Sequence, residues 1–171
     1  MLLNSDQVEQ FLQTNNLGSK AQVGYDLTLK SVNLIGGGTV TKDKTVVLPY
    51  TEVRPKKVGE QLLYELQPNT SYSLTFEQGI KLPNNVAAQI VHRSSVVRCG
   101  AIIISGVYDP GFETEFMGAI LITSCKLTLE QGARVAQIIM HETHKADKYD
   151  GQWQSQLDVK IGRALAPNLW L

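Results

Sequence analysis

The segment HRSSVVRCG, residues 92–100, holds the densest set of side chains that could do chemistry. Arg93 and Arg98 carry guanidinium groups, and Ser94 and Ser95 carry hydroxyl groups, all within one turn after an apolar run. Guanidinium and hydroxyl donors at this spacing suit the oxygens of a triphosphate. Such a turn is more often a solvated strand end, so the segment by itself leaves both interpretations open.

A second segment, GVYDPGF at residues 106–112, places a carboxylate between two long apolar runs. Asp109 precedes Pro110 and Gly111, and Asp-Pro-Gly is typical of a tight turn in which the aspartate bonds its own backbone. Phe112 could supply an apolar platform beside this carboxylate, which could then activate a water molecule. The segment is therefore a candidate catalytic turn as well as a structural one.

Other polar features invite a ligand-binding interpretation that their spacing does not support. His141 and His144 lie three residues apart after a strand-like run, whereas the zinc-protease pattern needs histidines four apart on a helix, so we expect surface histidines. The glycines at residues 36–38 are followed by neither Lys-Ser nor Lys-Thr, so we expect a hairpin turn and not a phosphate loop. Cys99 and Cys125 have no paired metal-ligand spacing and are expected to be reduced core residues.

Length and charge limit the class of protein. The chain has 171 residues, 43% of them hydrophobic, which suits one domain over residues 1–171. Lys plus Arg and Asp plus Glu number 16 each, so no global charge favours nucleic acid or an anionic membrane. No secretion signal opens the sequence, and no uncharged segment reaches the ~20 residues of a spanning helix. We expect a soluble, cytoplasmic protein (in the host cytoplasm for a viral source) that binds neither nucleic acid nor membrane.

The chain predicts one short helix followed by many strands. The helix is capped by Asn4 or Ser5 and stops before residues 15–18. Its apolar face comprises Val8, Phe11 and Leu12. The β-rich runs that follow are YDLTLKSVNLI, TVTKDKTVVL, QLLYEL, SYSLTF, VAAQIV, AIIISGVY, FMGAILITS and ARVAQIIMHE. Many short strands at regular spacing predict an all-β sandwich, jelly roll or barrel.

The C-terminal residues 145–171 differ from the rest of the chain. The stretch KADKYDGQWQSQ is polar and charged, and the final ALAPNLWL is apolar. An apolar tail on a complete domain is best explained by packing on another subunit. We therefore expect an arm that packs on or closes over a neighbouring subunit.

Four segments occur in an order that resembles a known superfamily. QVGYDLTL, HRSSVVRCG, GVYDPGF and GARVAQIIMHE are similar to four successive motifs of the trimeric dUTPase and dCTP deaminase superfamily. The stretches SDQVEQFL, LQPNTSYSLTFEQGIKLP and KYDGQWQ resemble the dCTP deaminase branch in particular. The resemblance covers nearly the whole chain and implies a distorted jelly-roll or dUTPase-like β-barrel that assembles as a homotrimer.

The resemblance also implies roles for individual residues. The residues that would bind the phosphates of a pyrimidine deoxynucleoside triphosphate across a subunit boundary are Arg93, Ser94, Ser95 and Gln137, with Arg98 nearby. Asp109 matches the aspartate that faces the deoxyribose and, in dUTPases, holds the attacking water. Phe112 matches the aromatic residue that packs on the deoxyribose. The residues that would close over the triphosphate are Lys148 and Gln152. Asp26 matches the aspartate near a hydrated Mg²⁺, the implied cofactor, which the three phosphates would mainly hold.

Two departures from the superfamily bear on activity. The deaminase branch needs a glutamate in the strand after the third motif, and counting from Asp109 that position is Ala119. Glu113 and Glu115 lie too close to the turn to replace it, since strand residues rise ~3.3 Å each. The glycine-rich C-terminal motif of ordinary dUTPases is also absent.

The first functional hypothesis is a nucleotidohydrolase that splits dUTP, or another pyrimidine deoxynucleotide, into the monophosphate and pyrophosphate. Asp109 would activate a water for attack at the α-phosphorus, and Arg93 and the two serines would stabilise the developing charge. The backbone of residues 102–108 would contact the base. The alternatives are a dCTP deaminase, which releases ammonia, and a non-catalytic nucleotide-sensing homologue.

Overall fold

The computed structural model describes residues 1–13 and 18–144, which form two short helices and sixteen strands. The helices are α1 (Ser5–Glu9) and α2 (Ser94–Arg98). The strands in chain order are β1 (Leu12–Gln13), β2 (Ser19–Lys20), β3 (Tyr25–Leu34), β4 (Gly38–Val40), β5 (Thr45–Val47), β6 (Thr51–Glu52), β7 (Lys56–Val58), β8 (Gln61–Leu66), β9 (Thr70–Phe76), β10 (Gly79–Lys81), β11 (Val86–His92), β12 (Ala101–Tyr108), β13 (Glu113–Thr114), β14 (Gly118–Thr123), β15 (Leu127–Glu130) and β16 (Arg134–Glu142).

Six strands close into a barrel. Their order is β16, β11, β12, β14, β9 and β3, and β3 pairs with β16 again. All these pairings are antiparallel. The closed sheet confirms the all-β barrel expected from the sequence, and two of the predicted runs, QLLYEL and AIIISGVY, match β8 and β12 residue for residue.

Barrel residues alternate between the interior and the outer face, because successive side chains of a strand point to opposite sides. On β9, Tyr72, Leu74 and Phe76 are buried, while the intervening Ser73 and Thr75 are half-buried. Other large side chains that are fully buried in the same core are Leu27, Leu29, Ile90, Ile103, Leu121 and Ile138. Burial of one such side chain stabilises the fold by roughly 1.5–3 kcal/mol.

Smaller sheets surround the barrel. β10 pairs with β1 on one side and β13 on the other, β8 pairs with β7 and β15, and β4 pairs with β5. In the part of the chain that is described, no helix is long and apolar enough to cross a membrane. The single domain over residues 1–171 stays a prediction, and the predicted arm at 145–171 lies outside the described residues.

The first helix is shorter than predicted. The Asn4 side chain accepts a hydrogen bond from the backbone N–H of Gln7, and the Gln7 side chain accepts one from the backbone N–H of Asn4, each at 3.0 Å. This reciprocal cap fixes the start of α1. Of the predicted apolar face only Val8 lies in the helix, because Leu12 pairs instead with Ile80 of β10. One turn of helix has little intrinsic stability, so pairing with another strand prevails.

Three further local predictions were wrong. Residues 92–100 contain a short helix, α2, and not merely a turn. The glycines at 36–38 do not close a hairpin, since the turn lies at residues 41–44 between β4 and β5. Cys99 and Cys125 are exposed and not part of the core, because one caps the C-terminus of α2 and the other follows the end of β14.

Barrel closure brings two backbones into close approach at Gly24. This residue has a φ of +76°, and a Cβ atom there would collide with the backbone oxygen of Ile138 on β16. Glycine alone combines this left-handed conformation with the space that the approach leaves. The pairing of β3 with β16 therefore depends on the absence of a side chain at position 24.

We expect Gly24→Ala to lower the free energy of unfolding by about 2–4 kcal/mol, because it adds a steric clash to backbone strain. Gly59→Ala is the matched control. Gly59 also has a positive φ, +61°, but an added Cβ would meet nothing within 4 Å. The control should lose only about 1 kcal/mol. Urea unfolding measures both variants, and equal losses would show that the close approach does not limit stability.

Candidate active site

Four polar residues meet where β3, β11 and β16 adjoin, and we call Asp26, Arg93, Arg134 and Gln137 the Asp26 cluster. The Asp26 carboxylate is 6% exposed, and its Oδ2 lies 3.2 Å from Arg93 Nη2 and 3.6 Å from Arg134 Nη1. Arg93 Nη1 also donates to the backbone oxygen of Arg134 at 2.9 Å, and Gln137 donates to the backbone oxygen of Val23. Two guanidinium groups share one carboxylate, so the cluster keeps a net positive charge that suits an anion.

Strand register assembles the Asp26 cluster. Asp26 on β3 lies opposite Gln137 on β16, and Gln137 lies opposite Val91 on β11. Arg93 comes directly after β11, and Arg134 begins β16. Because β16 pairs with β3 on one side and β11 on the other, residues far apart in the sequence converge on one carboxylate.

Helix α2 presents the remaining polar residues of HRSSVVRCG. Arg93 occupies the N-cap position with extended backbone angles, and Val96 is buried on the inner side of the helix. Ser94, Ser95 and Arg98 are exposed. Their hydroxyl and guanidinium groups therefore face solvent on α2, which directly follows Arg93 of the Asp26 cluster.

A cleft of about 660 Å³ lies on the outer face of the barrel, near the turn that follows β12. Asp109 and Phe112 both line it, and Asp109 is exposed. Phe112 packs against the core, and its ring centroid lies 5.3 Å from that of Tyr108. Among the described residues that line the cleft, Asp109 carries the only carboxylate. The volume falls in the range of small-molecule sites.

The cleft exists because β12 and β14 separate. Their ladder pairs residues 101–104 with residues 120–123, while the second half of β12 pairs only with β11. The Tyr108 hydroxyl spans the gap by donating to the backbone oxygen of Gly118 at 2.6 Å and accepting from its N–H at 3.1 Å. Burial raises the pKa of Tyr108 to about 12, and the hydrogen bond from Gly118 offsets part of this rise. The hydroxyl therefore keeps its proton at neutral pH.

A second aromatic side chain lines the cleft from the segment between Asp109 and β14. In this segment β13 pairs with β10, away from the barrel, before the chain returns at Gly118. Phe116 lies in this excursion, and Lys30 Nζ is 3.7 Å from its ring centroid and 3.3 Å from the Glu77 carboxylate. The cation–π contact and the ion pair hold Phe116 at the cleft.

The predicted site residues that the structure describes fall into three separate groups. Those that line the cleft are Asp109 and Phe112. Those in the Asp26 cluster are Asp26, Arg93 and Gln137. Those exposed on α2 are Ser94, Ser95 and Arg98. No member of the second or third group lines the cleft. Lys148 and Gln152 lie outside the described residues, so their roles stay predictions.

Sequence reasoning did not single out Arg134, Tyr108 or Phe116. Arg134 stands in GARVAQIIMHE and Tyr108 in GVYDPGF, so membership of these motifs was an available signal. Phe116 had none, because its place at the cleft depends on the pairing of β10 with β13.

Strand β14 carries no acidic residue over Gly118–Thr123. The lack of a glutamate after the third motif therefore does not depend on the count that leads from Asp109 to Ala119. Ala119 itself is buried and lines the cleft. Nothing on this strand could move protons to or from a bound base.

The described residues do not form a coordination site for Mg²⁺. Within residues 1–13 and 18–144, no three side chains of His, Cys, Asp or Glu gather in one place. The Asp26 carboxylate contacts two guanidinium groups, whose positive charge disfavours a further cation beside it. As placed here, Asp26 does not fit a role next to Mg²⁺.

Comparison with known families shows to which family the chain belongs. Residues 3–143 match the dCTP deaminase-like family model, so the chain belongs to this family, within the dUTPase and dCTP deaminase superfamily. The resemblance identified from the sequence is thus confirmed.

Individual relatives carry both of the family's activities in their names. Over 168 residues, 91% of this chain and 97% of the relative, the chain is 26% identical to a Methanosarcina mazei protein named probable deoxyuridine 5′-triphosphate nucleotidohydrolase. Over 108 residues, 62% of this chain and 61% of the relative, it is 30% identical to dCTP deaminase of Acidianus ambivalens.

A solved structure shares the fold. The 2′-deoxycytidine 5′-triphosphate deaminase from Agrobacterium tumefaciens superposes with a TM-score of 0.63 at 14% identity. The match covers 84% of this chain and 48% of that chain, so this protein corresponds to about half of the deaminase chain.

We expect Tyr108→Phe to lower the free energy of unfolding by about 1–3 kcal/mol at pH 7, because the backbone groups of Gly118 lose their partner. The pKa of Tyr108 rises from 10.0 to about 12 on folding, so the hydroxyl's contribution is fully present below pH 10 and is lost as the pH rises through 12. Urea unfolding of both proteins at a series of pH values measures this difference.

Tyr72→Phe is the control variant for the comparison of wild type with Tyr108→Phe. Its hydroxyl accepts one hydrogen bond, from the backbone N–H of Gln67 at 2.8 Å, away from the cleft. A stability difference between wild type and Tyr108→Phe that stays constant up to pH 11 would contradict the assignment of a raised pKa to Tyr108.

Proposed function

We propose that this protein hydrolyses dUTP to dUMP and pyrophosphate. The observation that carries the proposal is the position of Asp109, which supplies the only carboxylate among the described residues of the cleft and sits on a turn beside Phe112. The name of the Methanosarcina mazei relative points to the same substrate. A carboxylate next to an aromatic platform suits a site that binds a sugar and activates water.

In the proposed reaction, Asp109 accepts a proton from a water molecule while the water oxygen attacks the α-phosphorus. The bond from the α-phosphorus to the oxygen that bridges to the β-phosphate breaks, and pyrophosphate leaves with that oxygen. Phe112 packs on the deoxyribose, and the backbone of residues 102–108, where β12 leaves β14, contacts the base. Mg²⁺ would arrive with the nucleotide, since its three phosphates supply the oxygen ligands that this ion prefers.

The phosphates bind to donors from a neighbouring subunit. The net positive Asp26 cluster provides Arg93 and Gln137, and α2 provides Ser94, Ser95 and Arg98. None of these residues lines the cleft of their own subunit, which supports phosphate binding across a subunit boundary. Charged and hydroxyl donors aimed at the phosphates stabilise the negative charge that develops in the transition state.

An apolar surface supports assembly as a homotrimer. Ile102 and Ile122 lie opposite each other on β12 and β14, and both are exposed on the outer face of the barrel together with Ile104 and Val107. Contiguous apolar side chains on a sheet face mark an interaction surface. A second copy of this chain is the partner that would also complete the site.

A dCTP deaminase is the second candidate, and the family description and the Acidianus ambivalens relative favour it. Deamination at C4 of cytosine needs an acid that transfers protons to and from the base. Strand β14 holds no such residue, and Asp109 is the only acid among the described residues that line the cleft, so hydrolysis is the better supported activity. A nucleotide sensor without turnover has less need of a water-positioning carboxylate.

The products distinguish these candidates. We would incubate the full chain with Mg²⁺ and each of dUTP, dCTP, dTTP and dATP, and separate the products by chromatography. Hydrolysis gives dUMP and pyrophosphate from dUTP, while ammonia from dCTP would establish deamination and overturn the proposal. If no nucleotide yields a product, the result would support the hypothesis of a non-catalytic nucleotide sensor.

We expect Asp109→Asn to lower the rate of dUTP hydrolysis by ~10²–10⁴-fold while nucleotide affinity changes little, because an amide keeps the shape but cannot accept a proton. Glu115→Gln is the matched control, since Glu115 is an exposed acid in the same segment that does not line the cleft. Initial rates and calorimetric titrations measure the two effects. Equal activity of the two variants would show that Asp109 is a structural residue of the turn and not a catalytic one.

Mixing two inactive variants tests the shared site. Asp109→Asn lacks the catalytic carboxylate and Arg93→Gln lacks a phosphate ligand, so each alone should be nearly inactive. After unfolding and refolding together, sites that take Asp109 from one subunit and Arg93 from another are intact. In an equal mixture of trimers about a quarter of the sites qualify, so about a quarter of wild-type activity should return. Lack of recovery in refolded mixed trimers would place both residues in one subunit's site.

A further inference from the structure

Asn33 carries a buried amide oxygen without a hydrogen-bond partner in the described part of the chain. The residue is 3% exposed, and it lies on β3 and lines the cleft. Buried polar atoms in native proteins are almost always paired, because an unpaired acceptor loses its bonds to water without replacement. Its position at a cleft indicates that a bound molecule supplies the missing donor.

Strand register places Asn33 on the floor of the cleft. Asn33 lies opposite Ser73 on β9, Ser73 lies opposite Ile120 on β14, and Ile120 lies opposite Ile104 on β12. Directly opposite residues share a face of the sheet, so these four form one row across the outer face of the barrel. All four line the cleft. The row runs from a polar end at Asn33 to an apolar end at Ile104.

The polar end of the cleft differs in character from the end that carries Asp109. Tyr50, Ser73 and Thr75 line the cleft with Asn33 and bring hydroxyl groups but no charge. An uncharged polar end, beside isoleucine side chains, suits a flat ring with a polar edge and not a phosphate. The arrangement therefore matches a nucleobase whose sugar lies toward Asp109 and Phe112.

We infer that Asn33 reads the polar edge of uracil, with its Oδ1 accepting from N3–H and its Nδ2 donating to O4. The torsion about the Cβ–Cγ axis has a broad profile, so the amide can turn toward a ligand without movement of β3. The inference rests on the proposed function and extends it by making Asn33 a specificity-determining residue of the cleft. A site built to pair with a donor rejects an analogue that lacks it.

A second buried amide shows how a structural role would differ. Gln78 is fully buried, and its Oε1 accepts from the backbone N–H of Thr28 at 2.9 Å while its Nε2 donates to the Thr28 hydroxyl at 3.0 Å. Gln78 does not line the cleft. Loss of its amide breaks bonds within the fold, whereas loss of the Asn33 amide removes an atom that has none.

The test compares Asn33→Leu with Gln78→Leu in the full chain, using dUMP and N3-methyl-dUMP as probes in calorimetric titrations. Without nucleotide, Asn33→Leu should melt at or above the wild-type temperature, because it replaces an unpaired polar atom with an apolar one, while Gln78→Leu should melt lower. N3-methylation should weaken binding to wild type and to Gln78→Leu by about tenfold or more, and binding to Asn33→Leu far less. Asn33→Ala repeats the comparison without added bulk.

Each contrary result has a distinct meaning. An equal effect of N3-methylation on wild type and on both Asn33 variants would overturn the inference and leave the proposed hydrolysis intact. A smaller sedimentation coefficient for the Asn33 variants at unchanged dUMP affinity would also overturn it, by assigning the missing donor to a neighbouring subunit. Failure of the wild type both to bind dUMP and to hydrolyse dUTP would instead refute the proposed function, and the inference with it.

Discussion

The pairing of β3 with β16 closes the barrel, so each of its six strands has a neighbouring strand on both sides. The same pairing sets Asp26 opposite Gln137 and draws Arg134 to the Asp26 carboxylate, while Arg93 arrives from the end of the strand on the other side of β16. The backbones approach so closely that position 24 accommodates only glycine. A requirement of the backbone thus fixes the position of the charged cluster.

Incomplete pairing between two barrel strands shapes the cleft. The ladder between β12 and β14 ends after residue 104, so the later residues of β12 have no pairing with β14. Tyr108 compensates by bonding both backbone groups of Gly118 with one hydroxyl, and Phe116 and Phe112 add aromatic surface at the gap. The Asn33 amide oxygen, which has no hydrogen-bond partner among the described residues, belongs to a residue that lines the same cleft.

The family includes relatives named for hydrolysis and for deamination, so the fold does not separate the two activities. In this chain the positions of the acidic side chains distinguish hydrolysis from deamination. The cleft has Asp109 at its turn and none on β14, which fits activation of water at a phosphate better than proton transfer to a base. The net positive Asp26 cluster does not line the cleft, and the cleft's own described lining holds no cationic side chain.

The sequence by itself determined the features that are local. Runs of residues that favour β-strands, bounded by turn residues, predicted the bounds of β8 and β12. Residue type and motif order identified Arg93 and Asp109 as candidates. Tertiary structure decided that the Asp26 carboxylate pairs with two arginines and that Phe116 lines the cleft. It also decided that the buried Asn33 amide oxygen has no partner among the described residues. These facts follow from the pairing register of strands that are distant in the sequence. A slip of one residue in that register would exchange the two faces of a strand. No local sequence pattern encodes which strands will pair.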